Sequence, residues 1–566
     1  MQKRWVLKPK SEEEKSRKLQ QELNVSRIIA ELLSNREIHT FDQAKFFFRP
    51  SLDHLHDPFL MKDMDKAIKR IEEAIGQKEK ILIYGDYDVD GTTAVAVVYS
   101  FFREFHSGIA FYIPDRYSEG YGISRQGIDY AVTHGFSLII ALDCGIKAIE
   151  QIEYAKSKGV DFVIGDHHLP GTDIPNAVAV LDPKRIDCPY PYKELSGCGI
   201  GFKIIQAFLI RNQMQMELAY RYLDLVAVSI ASDIVPITGE NRTLAFFGLK
   251  KLNNNPCYGL QALIDLTSHR SNPFTITDVI FQIGPRINAA GRIDHAKDAV
   301  KLLIAKNLEE AKTYSKNIDS QNNTRKDHDL KITTEALALL AEDTDLQQRK
   351  STVLYKEDWH KGVIGIVASR LIEKHYRPTI ILTSTNGHVS GSARSVIGFD
   401  LYEALSACSD LLDQYGGHKY AAGLTMSKSN VPLFQQRFEE IVQERIKPEM
   451  LQPEVLIDLE IQLQDIDAKF YRILRQFQPF GPDNESPVFL CKRVHCPSPA
   501  TVVGNTHLKF SIKQQDSAIF DCIGFGLAAH REEINSGKTF DLCFTVEENH
   551  WRGKKNLQLN VRSIRF

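Results

Sequence analysis

Short apolar runs alternate with amphipathic stretches between residues 80 and 170. The apolar runs cover residues 81–84, 137–142 and 160–164, and residues 146–159 carry apolar positions at helical spacing. Strand, helix and strand in this order predict a crossover between two parallel strands. The pattern therefore predicts an α/β domain built on a parallel sheet.

Each of these predicted strands ends in side chains that can bind a cation. In chain order they are Asp86, Asp88 and Asp90, then Asp143, then Asp166, His167 and His168. Asp233 adds a carboxylate near the end of a predicted helix, which Pro236 stops. Because parallel strands place their carboxyl ends at one edge of the sheet, we expect these groups to converge there. Crowded carboxylates repel one another unless a cation neutralises them, so the sequence predicts a metal site.

The rest of the chain predicts additional domains, because 566 residues are too many for one hydrophobic core. Residues 1–75 are predicted to form an N-terminal helical region, and residues 76–310 the parallel-sheet domain. A long helix over residues 311–345 is predicted to lead to a second α/β domain at residues 346–450. Short alternating runs between turn residues predict a small β-barrel over residues 451–566.

Composition and charge are typical of a multidomain globular protein. Hydrophobic residues make up 43% of the chain and charged residues 25%. The net charge of -2 gives no basic field over the whole molecule, so nucleic-acid binding would have to come from local patches. Nine scattered cysteines without a CxxC pair predict a reduced, cytoplasmic protein. No run predicts a signal segment or a membrane span, and several domains in one chain make a monomer adequate.

The predicted ligands favour hard divalent cations. They are Asp88, Asp90, Asp143, His167 and Asp233, with Asp86 beside them either as a ligand or as a residue that orients the loop. Carboxylates suit Mg²⁺, and the imidazole shifts the preference toward Mn²⁺. So many anionic ligands can hold two ions, which predicts hydrolysis of a phosphodiester or phosphoanhydride. His168, if it is not itself a ligand, is predicted to donate a hydrogen bond to the phosphoryl oxygen where charge develops.

Two other interpretations of these motifs are weaker. A calcium loop of the EF-hand type at residues 86–90 would need flanking helices and a glutamate at its twelfth position, whereas here a strand precedes the loop. The glycine-rich residues 196–203 lack the spacing of a phosphate-binding P-loop. We therefore predict that these glycines allow tight packing at the start of a helix.

The acidic motifs ending at Asp90, Asp143, His168 and Asp233 resemble the four signature motifs of the DHH phosphoesterases. The segments at residues 284–292, 359–370 and 416–423 resemble the RecJ branch, which comprises exonucleases that degrade single-stranded DNA from 5′ to 3′ in repair and recombination. The resemblance implies a DHH catalytic domain, a bridging helix, a DHH-associated domain and a C-terminal oligonucleotide-binding (OB) barrel. It also implies two Mn²⁺ or Mg²⁺ ions bridged by Asp143.

The resemblance further implies residues that bind the DNA. Arg116, Ser392 and Arg394 are predicted to grip a 5′ phosphate. The other predicted contacts are Gly416, Gly417 and His418 with the nucleotide, Arg286 and Arg292 in a loop with backbone phosphates, and Trp551 stacked on a base. Each of these predictions has an alternative interpretation. The alternatives are surface ion pairs for Arg116 and Arg394, a loop with a surface histidine for residues 416–418, and a solvated barrel edge around Trp551.

Two other functions stay open from the sequence. One is a small-substrate DHH phosphoesterase acting on oligoribonucleotides, cyclic dinucleotides or pyrophosphate, which would share the metal ligands but would not need the C-terminal barrel. The other is a non-catalytic DNA-binding replication component, which we would expect to have lost ligands. For the exonuclease, the resemblance suggests a single-strand-binding protein and a RecQ-type helicase as partners.

Overall fold

The computed structural model describes residues 3–267, 273–385, 387–551 and 554–566, with the backbone alone at residues 550, 551 and 554. The chain forms two compact units. The parallel-sheet unit comprises residues 45–324 and 477–485, and the second unit comprises the chain up to Ala44 with residues 325–476 and 486–566.

The N-terminal region contains a strand as well as the predicted helices. Its elements are β1 (Arg4–Leu7), α1 (Glu13–Leu23), α2 (Arg27–Ser34) and α3 (Phe41–Phe48). β1 pairs in parallel with a strand near residue 455. The region predicted to be helical therefore also contains the strand β1, which the pattern did not indicate because four residues are too few to show a two-residue period.

Five strands form the sheet of the parallel-sheet unit. They are β2 (Lys80–Gly85), β3 (Ile109–Tyr112), β4 (Phe136–Leu142), β5 (Asp161–Gly165) and β6 (Ala179–Leu181). Their order is β3-β2-β4-β5-β6, and every neighbouring pair is parallel. Ile81 and Ile83 belong to the core on one face, and Leu82 and Tyr84 to the core on the other. Because both faces are covered, the strands are continuous apolar runs.

Helices pack on both faces of this sheet, and further helices follow its last strand in the chain. They are α4 (Met64–Gly76), α5 (Val89–Phe102), α6 (Arg125–His134), α7 (Ile149–Ser157), α8 (Gly197–Arg211), α9 (Glu217–Tyr220), α10 (Leu223–Ser232), α11 (Gly239–Asn254), α12 (Tyr258–Asp265), α13 (Ile276–Asp278), α14 (Gly284–Ile293) and α15 (Lys297–Leu303). The segment at residues 284–292, which was predicted to be a loop, is helix α14. Pro285 stands in its first turn, where a proline is tolerated because that N–H has no helical partner.

A 35-residue helix, α16 (Leu308–Glu342), runs where the sequence predicted the long helix, and α17 (Thr344–Gln348) follows it. The next domain has strands β7 (Thr352–Tyr355), β8 (Thr379–Thr385), β9 (His388–Arg394), β10 (Gln414–His418) and β11 (Ala421–Met426), with helices α18 (Ile364–Lys374), α19 (Leu401–Ser406) and α20 (Val431–Arg445). Its strand order is β10-β11-β9-β8-β7, and β7 and β8 alone are parallel among these described strands.

The C-terminal part of the chain is mainly β-structure. Its elements are β12 (Glu454–Ile457), β13 (Leu459–Glu460), α21 (Ala468–Leu474), β14 (Phe489–Val494), β15 (Thr501–Val503), β16 (His507–Ile512), β17 (Phe520–Gly524), α22 (Arg531–Ile534), β18 (Phe540–Trp551) and β19 (Lys554–Arg565). Seven of the strands form one sheet in the order β13-β14-β18-β19-β17-β16-β15. Within the described ranges, every helix is too short or too polar to pass through a lipid bilayer.

Candidate metal centre and substrate-binding residues

The loop after β2 brings three aspartates to the carboxyl edge of the sheet. Asp88 caps the start of α5, where its Oδ1 accepts a hydrogen bond from the Gly91 backbone N–H at 3.0 Å. Gly91 has to be a glycine, because a Cβ there would lie 2.5 Å from the Asp86 carbonyl oxygen. This close packing directs the carboxylate of Asp90, in the first turn of α5, into the protein.

The start of α8 fixes the carboxylate of Asp90. The backbone N–H groups of Gly197 and Cys198 donate to its two oxygens at 2.7 and 2.8 Å, and the Ser229 hydroxyl donates at 2.7 Å. A Cβ at Gly197 would lie 2.6 Å from the Cβ of Asp143. The glycine-rich segment therefore packs a helix start against two candidate ligands, and the helix N-terminus stabilises a negative charge there.

Asp143 follows β4 in an unusual backbone conformation. Its φ of 60° lies in the left-handed region, and its backbone N–H donates to the Gly165 carbonyl oxygen at 2.8 Å. Non-glycine residues in this region are uncommon and cluster at functional sites. The carboxylate is buried, and among the described residues its Oδ1 has no hydrogen-bond partner.

His167 stands at the centre of the converging carboxylates. Its Nε2 lies 3.2 Å from Asp143 Oδ1, 3.5 Å from Asp233 Oδ2 and 3.6 Å from Asp90 Oδ2. Asp233 reaches the site from the last turn of α10, as the sequence predicted. Two sets of ligand atoms each lie within 4.8 Å of one another: Asp143, His167 and His168, and Asp90, His167 and Asp233.

Burial and crowding make these carboxylates costly to ionise without a cation. Burial first, and then the neighbouring negative charges, raise the pKa values of Asp86, Asp88 and Asp143 above the usual range of a carboxyl. The same causes raise the pKa of Asp233 to about 8. Asp86 Oδ1, Asp143 Oδ1 and both ring nitrogens of His167 are buried without a hydrogen-bond partner in the described chain. The site therefore fits divalent metal ions, which need unpaired oxygen and imidazole donors.

Asp86 and Asp88 fall outside both of those ligand sets. Asp86 is buried, and the neighbouring charges of Asp88 and Arg116 act on its pKa in opposite directions. Its orphaned Oδ1 keeps both predicted roles open, as a ligand and as a residue that orients the loop.

His168 is oriented by Asp166, which the sequence places at the same strand end but not among the predicted ligands. The His168 Nδ1 lies 2.7 Å from Asp166 Oδ1, and its Nε2 lies 3.1 Å from the Tyr121 hydroxyl. Burial would lower the pKa of His168, but the hydrogen bond and the charge of Asp166 outweigh it and raise the pKa to about 9. The imidazole is thereby held as a hydrogen-bond donor beside the candidate ligands.

Tyr87 is influenced by the charges of two of the arginines that were predicted to bind DNA, Arg116 and Arg292. The Arg116 guanidinium lies 4.9 Å from the centre of the Tyr87 ring. Burial raises the pKa of Tyr87 to about 12, while the positive charges of Arg116 and Arg292 oppose that rise. The backbone carbonyl of Arg292 accepts a hydrogen bond from the Tyr117 hydroxyl. The sequence did not single out Tyr87 and Tyr117, because tyrosine in an α/β domain carries no distinctive spacing.

Arg286 has partners inside the protein. Its Nε donates to Asp319 Oδ1 at 2.9 Å, and its Nη1 donates to the Gln282 carbonyl oxygen at 2.6 Å. The side chain is largely buried, and it joins the start of α14 to α16. The predicted loop at the entrance is thus a helix, and these contacts favour a structural role for Arg286.

Ser392 and Arg394 meet at the start of α18 in the second unit. Arg394 Nη1 lies 3.2 Å from the Ser392 hydroxyl. A Cβ at Gly365, in the first turn of α18, would lie 2.8 Å from that hydroxyl and 3.0 Å from Arg394 Nη2. A hydroxyl and a guanidinium beside a helix N-terminus form an arrangement suited to a phosphate.

The glycine-rich strand β10 lies two strands away in the same sheet. One row of paired residues contains Gly416, Gly423 and Ser392, and a parallel row contains His418, Ala421 and Arg394. Gly417 has a φ of 143°, and a Cβ there would lie 2.4 Å from the Ala421 carbonyl oxygen. Arg116, by contrast, belongs to the parallel-sheet unit. The side chain of Trp551 lies outside the described part of the chain.

Comparisons with known families cover most of the chain. The model of the DHH family N-terminal domain matches residues 80–230, that of the DHHA1 domain matches residues 348–444, and that of the RecJ OB domain matches residues 457–563. The single-stranded-DNA-specific exonuclease RecJ of Bacillus subtilis is 37% identical over 99% of this chain and 70% of its own length. The Escherichia coli protein of that name is 32% identical over 89% of this chain and 90% of its own.

Solved structures of RecJ are also similar to this chain. The crystal structure of RecJ in complex with Mn²⁺ from Thermus thermophilus has a TM-score of 0.85 and 26% identity, and covers 100% of this chain and 79% of its own. The Mg²⁺ complex from the same organism has a TM-score of 0.79 and 25% identity, with coverage of 100% and 78%. The chain therefore belongs to the RecJ family, with a DHH domain, a DHHA1 domain and an OB domain.

Proposed function

We propose that this protein is a metal-dependent exonuclease that hydrolyses single-stranded DNA from its 5′ end and releases mononucleotides in DNA repair and recombination. The observation that carries the proposal is the convergence of Asp90, Asp143, His167 and Asp233 at one sheet edge. Orphaned donor atoms at that edge and membership of the RecJ family support it.

Two divalent ions, Mn²⁺ or Mg²⁺, are the cofactors in this proposal. Asp88, Asp90, Asp143, His167 and Asp233 would hold them, with Asp143 shared between the two, and Asp86 would be a further ligand or would orient the loop. When bound, such ions supply Lewis-acid polarisation of the phosphodiester and of the attacking water.

The remaining work belongs to side chains of this protein. His168, held by Asp166 at 2.7 Å, would donate a hydrogen bond to the phosphoryl oxygen as negative charge develops on it. The α8 amides hold Asp90 in place before any metal arrives, so the site needs little rearrangement to bind the ion.

We also propose that the 5′ end is recognised by its phosphate. Ser392 and Arg394, which meet at the start of α18, would bind this group. Arg116, in the parallel-sheet unit, is a separate proposed contact with the DNA. Gly416, Gly417 and His418 would contact the terminal nucleotide, since Gly416 shares a sheet row with Ser392 and His418 shares one with Arg394. Arg292 would contact a backbone phosphate and Trp551 would stack on a base. Arg286 would contact a backbone phosphate only by giving up its bonds to Asp319 and Gln282.

The experiment that tests the function compares substrates of one sequence. Purified protein with Mn²⁺ would be incubated separately with 5′-labelled strands (single-stranded DNA, duplex DNA, RNA and short oligoribonucleotides) and with an unlabelled cyclic dinucleotide. The Asp143→Asn variant is the inactive control. We expect mononucleotides from the single-stranded DNA first. Preferential turnover of the oligoribonucleotide or cyclic dinucleotide would replace this proposal with the small-substrate phosphoesterase, and no turnover with unimpaired DNA binding would favour a binding protein.

Two partners follow from the proposed role. A RecQ-type helicase would generate the single strand from duplex DNA, and a single-strand-binding protein would keep that strand extended. We expect digestion of a blunt duplex to depend on an active helicase, which can be measured by omitting ATP from the mixture.

A further inference from the structure

A short peptide at residues 477–485 belongs to the parallel-sheet unit, although the chain on both sides of it belongs to the second unit. It lies within the residues of the OB domain. The proposed reaction assigns this peptide no role, yet its residues are well packed. Phe477 is fully buried, and its ring packs against Phe47 and Phe48 at centroid distances of 5.4 and 5.3 Å.

Arg242 and Asn484 fix the conformation of this peptide. The buried Arg242 guanidinium donates to the carbonyl oxygens of Phe477 at 2.8 Å and of Gln478 at 3.0 Å. The Asn484 side-chain amide donates to the carbonyl oxygens of Phe477 at 2.9 Å and of Pro479 at 2.8 Å. A buried arginine directed at backbone carbonyls holds the peptide in one conformation rather than merely covering it.

The peptide contacts the turn that follows Asp233. Its Pro482 carbonyl oxygen accepts a hydrogen bond from the Ile237 backbone N–H at 2.8 Å. The contact is close, because a Cβ at Gly481 would lie 2.5 Å from Ile237 Cγ1. Ile237 is itself fully buried, so this point of the turn cannot shift without disturbing the peptide.

The turn between Asp233 and Ile237 needs such support. Ile234 has a φ of 59°, a left-handed conformation that a β-branched residue rarely adopts, and its side chain is 61% exposed. Packing of its own side chain therefore does little to hold this strained backbone. The Tyr192 hydroxyl supports the turn at the Pro236 carbonyl oxygen at 3.3 Å, and the Pro482 carbonyl supports it one residue later.

We infer that the peptide of residues 477–485 positions the metal centre by holding the turn that carries Asp233. These residues of the OB domain's sequence thus set the geometry of a site in the parallel-sheet unit, to which the peptide itself belongs. This inference rests on the proposed role of Asp233 as a metal ligand. Its test measures metal binding without DNA, so that it can fail while the proposed nuclease activity stands.

The test uses Gly481→Ala in the full chain. Gly481 has an ordinary backbone conformation, so the new methyl group acts by its contact with Ile237 and not by straining its own backbone. Mn²⁺ would be titrated into metal-free protein, with free Mn²⁺ followed by electron paramagnetic resonance. We expect the dissociation constant of the weaker ion to rise about tenfold, the effect typical of losing a group that orients a ligand. Circular dichroism in EDTA would report whether the fold is kept.

Asp483→Asn is the matched control, because it lies in the same peptide, is exposed and keeps a residue that tolerates its φ of 59°. We expect Mn²⁺ affinity within about twofold of wild type. If Gly481→Ala does not fold, Arg242→Lys replaces it, since a lysine keeps the charge but cannot bind several carbonyls in one plane. Unchanged Mn²⁺ affinity in the folded variant, or an equal loss in Asp483→Asn, would overturn the inference.

Discussion

At the residue scale, Asp143 combines a left-handed backbone with a buried carboxylate that has no hydrogen-bond partner among the described residues. Both features cost stability in a protein without metal, because strain and desolvation are not compensated locally. A cation that neutralises the carboxylate would offset both costs. His167 supports this interpretation, since neither of its ring nitrogens makes a hydrogen bond in the described chain although its Nε2 faces three carboxylates.

Asp143→Asn should separate activity from stability. Asparagine keeps the shape and tolerates the φ of 60°, but it removes a charge that the metal ions need. We expect the rate of DNA hydrolysis to fall by about 10³-fold or more. In EDTA the free energy of unfolding should rise by about 1 kcal/mol, because one of several repelling buried carboxylates is gone. A large loss of stability in EDTA would contradict this electrostatic interpretation.

Metal binding should release protons. The pKa of Asp233 is raised to about 8 in the metal-free protein, against an ordinary value of 3.8, so below pH 8 the metal must displace a proton. Apparent Mn²⁺ affinity should therefore increase as the pH rises toward 8 and then level off. The folded state binds more protons than the unfolded state in this range, so the metal-free protein should lose stability as the pH rises. Calorimetry in two buffers of different ionisation enthalpy would count the protons.

Arg394→Ala tests recognition of the 5′ phosphate. A lost charge-assisted hydrogen bond should reduce the preference for 5′-phosphorylated over 5′-hydroxyl strands by about 10- to 100-fold. Competition between the two strands in one reaction would measure this preference. Arg437→Ala is the control, because Arg437 makes a surface ion pair with Asp410 in the same unit and should leave the preference unchanged. A preference equal to that of wild type in Arg394→Ala would remove the arginine from the proposal.

At the scale of elements, the metal centre depends on how helices begin and end. Asp88 caps the start of α5, Asp233 directly follows the last residue of α10, and the start of α8 binds Asp90. Strand ends supply Asp143 and His167. The predicted ligands therefore sit on or next to rigid elements rather than on long loops, and this arrangement would fix their geometry before metal binds.

Helix α14 carries two arginines that we expect to behave differently. Arg286→Ala should lower the free energy of unfolding by about 1–3 kcal/mol, because it removes the link from α14 to Asp319 on α16. Arg292→Ala should instead reduce the slope of log affinity against log salt concentration by about 0.7 for single-stranded DNA. Urea unfolding and salt-dependent binding on both variants would tell them apart. A smaller salt slope for Arg286→Ala would restore its predicted contact with phosphate.

At the scale of the whole molecule, a net charge of -2 means that DNA affinity has to come from local patches. The predicted metal ligands add negative charge to the parallel-sheet unit. The positive charge that attracts the DNA phosphates would therefore lie on other surfaces along the path of the bound DNA. Residues 551–566 contain five basic residues and no acidic ones, which makes this end of the OB domain a candidate.

Neutralising Arg552, Lys554 and Lys555 together tests this patch. If all three contact phosphates, the salt slope of single-stranded DNA binding should fall by about 2. Lys492→Gln is the control in the same domain, because Lys492 already pairs with Glu460 at 2.7 Å. Filter binding at several salt concentrations would give the slopes. An unchanged slope in the triple variant would place the DNA path on another surface.

The sequence by itself determined the parallel sheet, the edge at which its ligands converge and the family. Apolar runs that end in Asp86, Asp143 and Asp166 are local signals, and the rule that parallel strands share one carboxyl edge turns them into a site. The long helix near residue 320 and the β-rich C-terminal domain were equally visible, because their periods extend over many residues. The exact domain boundaries remain predictions.

Only the tertiary structure decided which distant groups hold each ligand in place. Gly197 is 107 residues from Asp90, and Asp319 is 33 residues from Arg286. The nine residues from Phe477 to Glu485 reach the parallel-sheet unit from the middle of another domain's sequence. No local period or spacing encodes such pairs, because they are selected by packing between elements that meet only after the chain has folded.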